Sequence, residues 1–243
     1  MNEESRARSE SPPGDDTGRM TVLAGQSGTV PLFATPFAAV NTGADREFNA
    51  RLANLCESQR SVPRLPDDPS CHPLHFRSRP DFLDSIDVTA GELKRLILGQ
   101  ASTVVAGLNS ISAAEFGKLH IQARGWCSIV QPNGHVPAQH FPSASWLAMY
   151  CVQAGESDAA FKSAGVLRLY ERRLGSVYRD ASTWEMKSPY RYGNHTWSPV
   201  PGWMALFPAH VPHEVTVVRS VNSLIVVFAM IRFMDASAND RYG

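Results

Sequence analysis

The chain has 243 residues, and its 23 basic and 23 acidic side chains leave no formal net charge. This length accommodates one large β-rich domain with a full hydrophobic core, or two small ones. The balanced charge and the lack of a basic run argue against nucleic acid as an obligatory partner. No apolar stretch approaches the roughly 20 residues that span a bilayer, which argues against a membrane protein.

The first 20 residues are polar and charged, with Pro, Gly and Ser but no hydrophobic signal core. We interpret residues 1–20 as a disordered tail, residues 21–243 as a single domain and the chain as cytoplasmic. The cysteines are widely scattered without a Cys-x-x-Cys pair, which argues against a disulfide framework or a zinc ribbon and favours small buried hydrophobes. They are Cys56, Cys71, Cys127 and Cys151.

Two helices are expected in the first half of the chain. Asp45–Ser58 carries its apolar residues at helical spacing, and Gln59–Pro80, rich in Pro, Asp, Ser and Arg, reads as a long loop. Thr89–Leu108 gives the clearest helical pattern. Thr89 is the expected N-cap because Glu92 follows three residues later.

The second half has a β pattern, and Thr21–Phe37 should add one or two earlier strands. Gly, Pro, Asn and Asp separate seven candidate strands. These are Leu119–Arg124, Trp126–Val130, Ser145–Gln153, Gly165–Tyr170, Trp203–Phe207, His213–Val218 and Ser223–Phe233. The order predicts a mainly β (α+β) fold, an antiparallel barrel or jelly roll at 119–234 with helical support at 45–110 packed on one face.

The most informative segment runs from Gly202 to Val215. An apolar strand reaches Phe207-Pro208, the chain turns, and His213 opens the next strand. Rigid strands hold metal-ligating imidazoles well, and a neighbour commonly orients the second ring nitrogen. A histidine at a strand end is also an ordinary structural residue, so both interpretations stay open.

Five segments, in chain order, resemble a bacterial subfamily of 2-oxoglutarate/Fe(II)-dependent oxygenases. They are spread over nearly the whole sequence after the tail. They are Pro31–Phe37 with Phe48–Leu52, Gly125-Trp126 before Pro132-Asn-Gly134, His140-Phe-Pro142 with Trp146–Tyr150, Gly165–Arg173, and Gly202–Val215.

This resemblance implies a double-stranded β-helix, a cupin-like jelly roll that carries one non-haem iron. Iron in that superfamily sits on a facial triad, normally two His and one carboxylate, with positions left for 2-oxoglutarate and dioxygen. His213 matches the distal histidine of the pattern.

The segment that matches the other two ligands departs from the pattern. The subfamily tends to carry His-x-His-Pro where this chain has Gln139-His140-Phe141-Pro142. By position His140 is the expected second ligand, although the register could differ by one residue. His135 is the nearest third ligand and would make a three-histidine site. Alternative third ligands are the carboxylates Glu156, Glu171 and Glu214.

Two further groups of residues are candidates for the site, the first implied by the resemblance and the second by the composition of a loop. Arg219 or Arg173 would pair with the distal carboxylate of 2-oxoglutarate, while a solvated loop cation is the competing interpretation for Arg219. The loop from Leu174 to Pro201 is rich in aromatic residues and could cover the substrate or simply pack against the rim of the barrel. Its candidate substrate residues are His195, Tyr192 and Trp197.

The sequence therefore predicts a non-haem Fe(II)-dependent dioxygenase that uses 2-oxoglutarate to hydroxylate or oxidise a small molecule. Two alternatives stay open: a three-histidine iron dioxygenase that works without 2-oxoglutarate, and a non-catalytic binding protein on the same scaffold. A homodimer is one assembly that the sequence allows.

Overall fold

The computed structural model describes residues 34–62, 73–155, 163–171, 180, 186–187, 190 and 193–235. Its helices are α1 (Arg46–Ser58), α2 (Val88–Leu108) and α3 (Ala113–Phe116), with 3-10 turns at Gln59–Ser61 and Phe82–Asp84. The early strands are β1 (Ala38–Asn41), β2 (His75–Arg77), β3 (His120–Val130), β4 (Val136–Gln139) and β5 (Trp146–Gln153). The later strands are β6 (Leu167–Leu169), β7 (His195–Trp197), β8 (Trp203–Pro208), β9 (His213–Val215) and β10 (Leu224–Met234).

The strands form two antiparallel sheets. The six-stranded sheet has the order β1-β8-β5-β10-β3-β2, and the four-stranded sheet has the order β4-β9-β6-β7. The two longest strands, β3 and β10, pair along eleven residues in the middle of the larger sheet, from Leu224 opposite Val130 to Met234 opposite His120. Short strands stand at the described edges: β1 and β2 in the larger sheet, β4 and β7 in the smaller.

The helices cover the outer face of the six-stranded sheet. Asp45 caps α1, since its Oδ1 accepts from the N–H of Phe48 at 2.7 Å. The buried faces of α1 and α2 share a core with the outward side of β3, β5 and β10; its members include Leu52, Leu93 and Ile97. Among the described residues, no helix has both the length and the apolarity needed to cross a bilayer.

A second core fills the space between the two sheets, where alternate residues of facing strands meet. Its bulky members include Trp126, Phe207 and Phe228, all at most 1% exposed. The four-stranded sheet contributes Val136, Leu167, Leu169 and Val215. This inter-sheet core positions His213, which lies among these side chains.

The structure confirms a mainly β chain with two antiparallel sheets and few helices; the helices precede β3 to β10, whereas β1 and β2 come earlier in the chain and join the larger sheet. Three details of the prediction are wrong. The N-cap of α2 is Asp87, whose Oδ1 accepts from the N–H of Thr89, so Thr89 itself lies inside the helix. Leu119–Arg124 and Trp126–Val130 are one strand, β3, because Gly125 continues the ladder. The predicted loop Gln59–Pro80 contains β2.

Candidate functional site around His213

His213 lies at the start of β9, on the face of the four-stranded sheet that packs against the larger sheet. Its pairing partners are Gln139 on β4 and Leu169 on β6, and Leu169 in turn pairs with His195 on β7. Directly opposed residues of paired strands have side chains on the same sheet face. One row across the sheet therefore brings these four side chains to the inner face.

His213 is completely buried among aromatic rings. Its ring centroid lies 5.2 Å from that of Phe207, 5.9 Å from that of Phe141 and 6.1 Å from that of Phe228. Trp126 stacks on Phe228 at 5.5 Å and contacts Phe141 at 5.2 Å. The imidazole therefore sits in an apolar cage that strongly disfavours a positive charge.

The two ring nitrogens of His213 differ in their hydrogen bonding. Nδ1 lies 3.0 Å from the carbonyl oxygen of Val211. A carbonyl can only accept, so Nδ1 carries the proton and Nε2 presents a lone pair. Nε2 is buried and has no hydrogen-bond partner among the residues that the structure describes. This is the tautomer of a histidine whose Nε2 accepts a hydrogen bond or binds a metal.

The pKa of His213 is lowered to about 4, chiefly by burial; the hydrogen bond to the carbonyl of Val211 opposes this effect, and the electrostatic interaction with His140 makes a smaller contribution that lowers the pKa. The imidazole is thus neutral at physiological pH. Its Nε2 lone pair is available over the whole physiological range.

The two other histidines predicted to bind iron lie on or beside β4. His140 directly follows the strand and is exposed, and His135 directly precedes it and is half-buried. Within the described part of the chain, no group of three or more His, Cys, Asp or Glu side chains converges on a point. His140 interacts electrostatically with His213, but within the described residues no cluster joins both with His135. The three assignments remain predictions.

Sequence reasoning missed Gln139 and Phe141 as residues of this site. Gln139 is the pairing partner of His213, and the Phe141 ring packs against the His213 ring. They flank His140 on either side, so both lie on the inner face while His140 is exposed. The alternation of a strand predicts that Gln139 and Phe141 share one face and His140 lies on the other. Which face points inward could be decided only from the pairing with β9.

The next residues are the arginines predicted to bind 2-oxoglutarate and the carboxylates considered as a third iron ligand. Arg219 is exposed, and its Nη1 donates to Oδ1 of Asn133 at 2.9 Å. Glu214 follows His213 on the opposite face of β9, where its Oε1 accepts from Nη1 of Arg168 at 2.8 Å. Glu171 lies just after β6. Arg173 and Glu156 fall outside the described residues.

The predicted substrate loop is described mainly at its end, which forms β7. His195 is exposed and its ring lies 4.5 Å from the Phe37 ring, which in turn stacks on Phe207 at 6.3 Å. Trp197 packs at the margin of the inter-sheet core. Tyr192 lies outside the described residues. Phe37 thus stands between His195 and the aromatic cage of His213.

Solved structures with a similar fold include three oxygenases. A Pseudomonas putida prolyl-4-hydroxylase is 13% identical over 81% of this chain and 91% of its own, with a TM-score of 0.52. An oxidoreductase of the 2OG-Fe(II) oxygenase family from Burkholderia pseudomallei is 13% identical over 85% and 89%, with a TM-score of 0.50. A Trichoplax adhaerens prolyl hydroxylase, solved with a peptide fragment of the hypoxia inducible factor oxygen degradation domain, is 11% identical over 84% and 87%, with a TM-score of 0.51.

No protein-family model and no curated protein matches this sequence. These likenesses show that the chain shares the fold of the two solved prolyl hydroxylases and of the solved 2OG-Fe(II) oxygenase family member. In this chain the fold consists of two facing antiparallel sheets with a buried histidine between them.

Iron is the group that this fold implies, and the described donors fit it only in part. The open Nε2 of His213 suits a ligand role. The inward neighbours on β4 supply a neutral amide, Gln139, and a hydrocarbon ring, Phe141. A non-haem iron site needs two imidazoles and a carboxylate, or a close equivalent. The described residues therefore do not fit the superfamily's iron triad.

Proposed function

We propose that this chain is a small-molecule binding protein built on the oxygenase scaffold, with its two sheets forming a double-stranded β-helix. The observation that carries the proposal is the buried Nε2 of His213, an acceptor inside an aromatic cage to which no described residue donates a hydrogen bond. An unsatisfied buried acceptor costs about 1–3 kcal/mol, and a bound ligand with an N–H or O–H would recover that loss.

The chemistry around Nε2 defines the ligand class. The lone pair of a neutral imidazole requires a hydrogen-bond donor, and the rings of Phe141, Phe207 and Phe228 favour a flat apolar body. An anion is disfavoured because His213 has no proton to offer at Nε2. The proposed ligand is therefore a neutral, mainly apolar molecule that carries one N–H or O–H group.

Indole and benzofuran test this proposal, because they match in size and differ in the N–H donor. We expect calorimetric titration to show indole binding about tenfold more tightly, the equivalent of ~1.4 kcal/mol for one hydrogen bond to a buried acceptor. The difference should vanish in His213→Phe and persist in His210→Phe, since His210 is exposed. Equal binding of both compounds, or binding of neither, would contradict the proposal.

A second candidate function, an Fe(II)-dependent oxygenase, is favoured by the fold and by the same open Nε2. It requires donors besides His213: His140 and His135 in the three-histidine form, or a carboxylate from outside the described residues. Iron would supply the oxidative chemistry. The chain would hold the small-molecule substrate beside His195 and Trp197, and Arg219 or Arg173 would hold 2-oxoglutarate.

Iron analysis decides between the two candidates. For an oxygenase, protein purified anaerobically with Fe(II) should retain about one equivalent, lose it in His213→Ala and His140→Ala, and release succinate from 2-oxoglutarate. Iron retention without succinate release would favour the form that works without 2-oxoglutarate. For the binding protein, we expect no iron that depends on His213. Loss of iron in His213→Ala but not in His140→Ala would remove His140 from the ligand set.

A further inference from the structure

The register of β4 against β9 decides which residues stand beside His213. Val136 is opposite Val215, and Gln139 is opposite His213. The two pairs are therefore three residues apart on β4 but only two residues apart on β9. Val136 and Val215 are both buried in the inter-sheet core. The extra residue of this irregularity reverses the alternation along β4.

Without that irregularity, counting by twos from Val136 would bring Ala138 and His140 to the inner face. With it, Gln139 and Phe141 take that face, and both Ala138 and His140 are exposed. The 5.9 Å between the rings of Phe141 and His213 gives independent evidence for the same orientation. The N–H of Phe141 also donates to the carbonyl of Ala209, so the chain stays paired beyond the end of β4.

We infer that Gln139 and Phe141 occupy the two coordination positions beside His213, and that their side chains prevent this chain from holding an iron ion there. The carboxamide oxygen of Gln139 is an uncharged metal ligand, and the phenyl ring of Phe141 has no atom that can bind a metal ion. Phe141 also packs against Trp126, so its ring belongs to the apolar cage. The backbone of the site is retained while two of its three donors are replaced.

Metal binding of designed variants tests this inference independently of any ligand. Co(II) is the probe, because it binds nitrogen and oxygen donors more tightly than Fe(II) and thus gives the stricter test of the wild type. We expect chelator-treated wild type to show no stoichiometric Co(II) binding that depends on His213. The double variant Gln139→His/Phe141→Asp should bind one equivalent at least about tenfold more tightly, since a metal site gains affinity with each charged or imidazole donor.

Two controls make the result specific. Adding His213→Ala to the double variant should abolish the gain. Ala138→His/His140→Asp introduces the same residues one position away, on the exposed side, and should gain nothing. If loss of the Phe141 ring prevents folding, judged by circular dichroism, Gln139→His alone leaves that ring in place and should still raise Co(II) affinity through a second imidazole.

Three outcomes would overturn the inference. The first is wild-type protein that binds one equivalent of Co(II) and loses it in His213→Ala. The second is a folded double variant that binds Co(II) no more tightly than wild type does. The third is an equal gain in the Ala138→His/His140→Asp control.

Discussion

Lowering the pH from about 6.5 to about 4 is expected to cost the fold about 3 kcal/mol through His213 alone. A histidine in the unfolded chain titrates near pH ~6.5, whereas burial holds the pKa of His213 at about 4. As the pH falls between these two values, His213 binds a proton in the unfolded chain but not in the folded chain, so the free energy of unfolding decreases. The stability is complete above pH ~6.5, declines as the pH falls toward 4, and changes no further below that.

Denaturant unfolding of chelator-treated protein at several pH values measures this effect. Since other groups also titrate, the relevant quantity is the difference in pH dependence between wild type and His213→Gln, which cannot protonate. His210→Gln is the matched control, because His210 is exposed three residues earlier. Identical pH dependence in wild type and His213→Gln would show that His213 is not held neutral by burial.

Gly125→Ala is expected to destabilise the protein by about 3 kcal/mol or more. A Cβ at this position would lie 2.5 Å from the carbonyl oxygen of Phe228 and 2.6 Å from Cδ1 of Leu83. Both atoms belong to packed elements: β10 pairs with β3 at this point, and the N–H of Gly125 donates to Pro80 beside the turn that carries Leu83. The sheet and this turn would have to separate to admit the methyl group.

The same substitution in α2 is predicted to have the opposite sign. A Cβ at Gly99 meets nothing within 4 Å, and the residue is exposed in the middle of the helix. Ala is favoured over Gly in a helix by roughly 0.5–1 kcal/mol, so Gly99→Ala should stabilise the fold. Equilibrium unfolding of both variants checks the pair, and a Gly125→Ala variant as stable as wild type would contradict the proposed packing.

The sequence was sufficient for the elements whose signal is local. The apolar spacing of Asp45–Ser58, with Asp45 at its start, predicts α1 to within one residue. Long apolar runs such as Ser223–Phe233 predict β10 for the same reason. The three-residue strands β2 and β7 are too short to show any alternation. They are defined by their pairing, β2 with the eleven-residue β3 and β7 with the equally short β6.

The candidate site was harder to predict, because its geometry depends on pairing between distant segments. His213 could be identified from the strand–turn–strand pattern that precedes it, and the coordinates place it in the inter-sheet core. The face on which His140 lies depends on an irregularity between Val136 and Gln139, which is defined only relative to β9. A single sequence contains the alternation of each strand but not the register between them.

The short outer strands have a consequence for behaviour at high concentration. The described borders of the two sheets, β1, β2, β4 and β7, have only three or four residues each. The eleven-residue strand β10 pairs with β3 along its whole length and with β5 from Ile225 to Ile231, whereas β3 pairs with β2 only at Ser128–Val130. At β1, β2, β4 and β7 a foreign strand would find few consecutive unpaired amides to add to, and this discourages aggregation by sheet extension there. Resistance to fibril formation at these borders would thus be a property of strand order, independent of what the interior binds.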